Sequence, residues 1–113
     1  MADYTDQFKQ LGENNRLLGK MSPDVMKAFG QVHGEVIKDA ALDKKTKELI
    51  SLGIAIAVRC EGCILSHTRS CVMMGATLEE IAEVVNVAIM MGGGPSTVYG
   101  AKALDIANSL IEK

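Results

Sequence analysis

The chain has 113 residues, of which 48% are hydrophobic, 23% charged and 4% aromatic, and it carries a formal charge of −2. That length allows one domain with a modest core. The slight negative charge, with no basic patch carrying aromatics, excludes an electrostatic nucleic-acid binder, and the longest apolar run, residues 49–58, is too short to span a bilayer.

Tyr4, Phe8, Phe29 and Tyr99 are the only aromatics, so the core must be built from Leu, Ile, Val, Ala and Met, which suits closely packed helices. No segment alternates apolar and polar residues over strand length. A first, polar helix is expected over residues 4–19. Ser22 then caps a second helix with Pro23 at its first position. Val25, Met26, Phe29, Val32, His33 and Val36 form one stripe of that helix. Gly30 and Gly34 offer a neighbour close approach, and His33 reads as a surface or packing histidine.

Asp43 caps a third helix whose second half is apolar almost all round and should be buried on both sides. A fourth helix starts at Cys60 and closes at Gly75, a natural residue just past a helix end. Thr77 and Glu80 make a capping box for a fifth over residues 78–91. The run GGGP at 92–95 breaks the chain before a last helix over 96–112. The repeated MMG at 73–75 and 90–92 suggests two similar helix ends.

The expectation is therefore an all-α bundle of five to six helices, one domain over residues 1–113. Its third and fifth helices are too apolar to be covered by so small a bundle, so homo-oligomerisation is expected. Residues 1–10 are acidic and polar, unlike a secretory leader. A cytoplasmic protein follows, in which Cys60, Cys63 and Cys71 are free, catalytic or metal-bound thiols and not a disulfide scaffold.

The chemistry concentrates in RCEGCILSHTRSC, residues 59–71. On a helix turning about 100° per residue, Cys60, Cys63, His67 and Cys71 share one face. His67 leans back toward Cys63 one turn earlier, within reach of its thiol proton. A helix start offers unpaired N–H groups and a partial positive charge, which lower a thiol's pKa. Gly62 leaves room for a substrate beside the pair. Cys71 lies too far along the helix to bridge to Cys63 and reads as a small buried apolar residue. The spacing alone leaves a redox dithiol, half of a zinc site and a helix that merely packs its cysteines all open. C-x2-C-x3-H supplies three zinc ligands, but Cys71 and His33 are the only further candidates and Cys71 cannot close the tetrahedron.

Glu48 extends the pattern to E-x11-C-x2-C-x3-H, from Glu48 through Cys60 and Cys63 to His67. This resembles the AhpD-like alkylhydroperoxidases of the carboxymuconolactone decarboxylase family, and the similarity runs from about Val25 to Ala107. The resemblance implies an all-helical domain assembling into homotrimers or homohexamers, needing no cofactor. It implies that Cys60 and Cys63 cycle between dithiol and disulfide, with Glu48 and His67 relaying protons. The substrate would be a peroxide or small disulfide, and the electron donor an external dithiol such as dihydrolipoamide or a thioredoxin-like protein. Some AhpD proteins carry a second histidine where this chain has Gly62, which bears on peroxide turnover more than on disulfide reduction. Cys63, next to His67, is expected to attack, with Cys60 as the resolving and more exposed partner; thioredoxin-like logic would swap them.

One geometric demand follows. On a continuous helix Glu48 would lie about 18 Å from Cys60, so the relay needs the chain to turn back near residues 59–62, where no strong breaker stands. By itself Glu48 reads only as an acid near a helix start. Two rival functions remain: a cofactor-free lactone decarboxylase working by acid–base chemistry, which has no use for a cysteine pair, and a zinc-stabilised binding protein. Tyr99, after the glycine run, reads as a packed tyrosine.

Overall fold

The computed structural model describes residues 3–112; Met1, Ala2 and Lys113 of the expected domain lie outside the described residues. Six helices follow one another, with no strand among the described residues: α1 (Thr5–Met21), α2 (Pro23–Val36), α3 (Lys44–Ala57), α4 (Glu61–Met73), α5 (Leu78–Gly92) and α6 (Gly94–Ile111). The capping signals act as read. Asp43 accepts from the Thr46 N–H at 2.8 Å to open α3, and Thr77 and Glu80 form a full capping box on α5. Ser22 precedes α2 as expected but makes no side-chain cap.

The core belongs to α3–α6. Leu52 and Ile56 from α3, Ile64 from α4, Ile81 from α5 and Ile106 from α6 are fully buried together. Each such side chain contributes about 1.5–3 kcal/mol, against about 0–1 for an exposed ion pair such as Lys38–Glu35. Tyr99 packs against this cluster. In contrast, α1 and α2 contain no buried residue. α1 is fastened by Tyr4, whose hydroxyl donates to Asp105 at 2.6 Å, and by Phe8, whose ring lies 4.6 Å under the Arg69 guanidinium.

Three expectations change. The glycine run does not form a break four residues long: Gly92 ends α5, Gly94 starts α6, and only Gly93 between them turns, at φ +75°. Pro95 sits in the first turn of α6, where its missing N–H costs nothing. The two MMG runs also differ, because α4 stops before its glycine and α5 runs through its own. Finally, no neighbour approaches Gly30 or Gly34.

α3 buries only one side. Ile54 and Val58 remain 58% and 64% exposed, and Ile54 with Leu49, Val87 and Met91 lines an apolar groove of about 410 Å³ between α3 and α5. This is the surface that the expected trimer or hexamer has to cover.

The decisive local feature is the stop of α3. Arg59 adopts φ +61°, and it is the one non-glycine residue with positive φ among the described residues. Its N–H donates to the Ile56 carbonyl at 3.2 Å and the Cys60 N–H to the Ala55 carbonyl at 3.1 Å, the paired bonds of a Schellman ending. α4 ends identically around Gly75, at φ +87°, with Gly75 N–H to Val72 O and Ala76 N–H to Cys71 O. Arg59 thus occupies a glycine conformation at a cost on the order of 1 kcal/mol. We expect Arg59→Gly to raise the denaturant midpoint and Arg59→Val, β-branched and worse suited to positive φ, to lower it. Equal midpoints in all three proteins would contradict a strained corner.

Candidate active site

The corner at Arg59 folds α4 back against α3 and brings together residues far apart along the chain. α3 is held at its start by the Asp43 cap and by Lys47, whose Nζ donates to the carbonyls of Val36 at 2.8 Å and Lys38 at 2.5 Å. Glu48, one turn into the helix, is 3% exposed. A carboxylate so buried needs a partner, and it has one across the corner: Glu48 Oε1 accepts from His67 Nδ1 at 2.8 Å. With Nδ1 occupied in this way, Nε2 is the free nitrogen of the His67 ring. Glu48 is therefore not simply an acid facing the positive end of its helix.

Cys60 serves two helices. Its N–H completes the ending of α3, and its Sγ caps α4 by accepting from the Cys63 N–H at 3.2 Å. A sulfur in this position faces the positive end of α4, which favours a thiolate when the bond is reduced. Cys60 and Cys63 are joined as a disulfide with Cα atoms 5.2 Å apart. Cys63 is the exposed member and Cys60 is half-buried. This reverses the expected order of exposure, because the Cys60 sulfur turns inward to cap the helix while Cys63 begins its outer face.

The disulfide opens into a pocket of about 540 Å³ that also takes in His67 and Gly62. The room expected above Gly62 is partly filled: a Cβ there would meet Leu11 Cδ1 of α1 at 3.1 Å. Phe29, Val32, His33 and Val36 of α2 line the same pocket. Reading the sequence missed this wall. Its only signal was the α2 stripe, which in this chain faces the dithiol and not a packed core. Glu61, in the first turn of α4 beside Cys60, is partnered by Lys102 of α6 at 3.3 Å.

Cys71 stands apart. It is fully buried and free, and its thiol is pushed up to about 12, by burial first and then by the nearby Glu48 carboxylate. Among the described residues no three His, Cys, Asp or Glu side chains converge as metal ligands.

The profile of the carboxymuconolactone decarboxylase family matches residues 23–105. The chain belongs to this family. Among its relatives, an uncharacterized protein of Cupriavidus necator is 38% identical over 109 residues, covering 94% of this chain and 96% of its own. The structure of a carboxymuconolactone decarboxylase family protein from Legionella pneumophila superposes with a TM-score of 0.82 at 39% identity, over 92% of this chain and 96% of its own. A family protein from Thermotoga maritima, described as having a suggested involvement in an antioxidative response, gives 0.80 at 31%, over 91% of both chains.

For this family member the environments of the three thiols make a direct prediction. In the reduced native protein Cys60 and Cys63 should be alkylated readily at neutral pH, while Cys71 reacts only after unfolding or as the pH nears 12. Mass mapping of the labelled peptides checks this, and prompt labelling of Cys71 at neutral pH would refute it.

Proposed function

We propose that the chain is a thiol–disulfide oxidoreductase of the alkylhydroperoxidase type, reducing a hydroperoxide or small disulfide with Cys60 and Cys63. The observation that carries this reading is a disulfide open to solvent at a helix start, sharing its pocket with a histidine held by a buried carboxylate. The antioxidative description of the Thermotoga relative supports it.

In the reduced state Cys63 gives its proton to His67 Nε2, and the Glu48 carboxylate stabilises the resulting imidazolium. The Cys63 thiolate attacks the terminal peroxide oxygen. The O–O bond breaks, the sulfur becomes a sulfenic acid and the departing alkoxide takes up a proton as alcohol. Cys60, its thiolate favoured by the α4 N-terminus, then attacks the Cys63 sulfur; hydroxide leaves as water and the disulfide forms. An external dithiol such as dihydrolipoamide or a thioredoxin-like protein restores the pair. Its thiolate meets the exposed Cys63 sulfur, and Cys60 departs as a thiolate stabilised by the helix N-terminus. The second donor thiol releases the mixed disulfide. No resident cofactor takes part.

Peroxide and disulfide turnover with dihydrolipoamide as reductant should fall to background in Cys63→Ser. Cys60→Ser should accumulate a mixed disulfide on Cys63. Turnover that survives Cys63→Ser, or a wild type with no turnover of either substrate class, would end this reading.

A further inference from the structure

The peroxide reaction needs a proton delivered at a place His67 does not occupy. A thiolate displaces at oxygen in line, so sulfur, attacked oxygen and leaving oxygen fall on one axis. The leaving oxygen therefore sits one bond farther from Cys63 than the attacked one, out toward the opposite side of the pocket. His67 is on the sulfur's own helix, one turn along α4. It is well placed to take the thiol proton and badly placed to protonate an oxygen on the far side.

The far wall belongs to α1 and α2. Its residues are Leu11, Asn15, Phe29, Val32, His33 and Val36. Of all the residues lining the pocket, the titratable ones are Cys60 at the cap of α4, Cys63 and His67 on α4, and His33 on α2. Asn15, Ser51 and Ser66 can donate hydrogen bonds there but cannot give up a proton near neutral pH. Imidazole can.

We infer that His33, facing the dithiol across the pocket, is the acid that protonates the leaving oxygen of a hydroperoxide, an inference that rests on the dithiol reading above. Cys63 Sγ forms the bond to the terminal oxygen as the O–O bond breaks. The sulfur is oxidised by two electrons, the peroxide is reduced by the same two, and the His33 proton converts the alkoxide to alcohol. Proton loss from Cys63 to His67 and proton gain from His33 leave the pocket's total charge unchanged in the step.

A leaving-group comparison tests this without depending on fold. His33 is exposed, so His33→Gln should keep the wild-type melting curve. Pre-reduced protein freed of reductant is mixed with tert-butyl hydroperoxide, whose alkoxide needs a proton to leave, or with perbenzoic acid, whose carboxylate does not. Disulfide formation is then followed in a single turnover. We expect His33→Gln to be slower on the order of 10²-fold with the alkyl hydroperoxide and close to wild type with the peracid. Equal losses on both oxidants would make His33 a structural residue, and no loss on either would make it a bystander; each overturns the inference. A wild type oxidised by neither would overturn the dithiol reading itself, a result distinct from both.

Discussion

The meeting of Glu48, His67 and the Cys60–Cys63 pair depends on one left-handed residue. Arg59 turns the chain so that α3 ends and α4 begins within three residues, and only that turn lets Glu48 reach His67, 19 positions later. A straight continuation would separate Glu48 from the dithiol by about 18 Å. Cys60 is part of the same device, closing one helix with its N–H and opening the next with its sulfur. The cysteine pair is therefore built into the corner and not attached to a finished helix.

The corner also sets the electrostatics. Glu48 is buried and His67 is its hydrogen-bond partner. Removing His67 would leave the buried Glu48 carboxylate without its partner, at a cost of about 1–3 kcal/mol. The same contact orients the ring: the carboxylate that needs the imidazole for its burial holds Nδ1 and leaves Nε2 free. Cys71 shows the opposite use of the same surroundings. Buried near that carboxylate, its thiol stays protonated at neutral pH.

Where side-chain chemistry signals structure, the sequence was legible. Asp43, the Thr77–Glu80 box and Gly75 mark their helix ends because each residue type is suited to the backbone it caps. The end of α3 was not legible, although it has the same hydrogen bonds as the end of α4, because an arginine stands where the motif normally places glycine. The spacing of Glu48, Cys60, Cys63 and His67 pointed to the family, and the structure brings the two cysteines and His67 to one pocket with Glu48 bonded to His67. The exposure of the two cysteines was hidden, since it depends on which way the capping sulfur turns. His33 was hidden too. Helical periodicity places it on the α2 stripe, but only the packing of α2 over α1 shows that this stripe looks at the dithiol.

The most direct test of the account is the pH dependence of Cys63 alkylation in the reduced protein, resolved by mass from Cys60 and compared between wild type and Glu48→Gln. If His67, held in place by Glu48, takes the Cys63 proton, the variant's profile moves to higher pH and its rate at neutrality falls. A profile unmoved by Glu48→Gln, in a protein that remains folded, would show that the Glu48–His67 pair supports the structure alone and does not activate the dithiol.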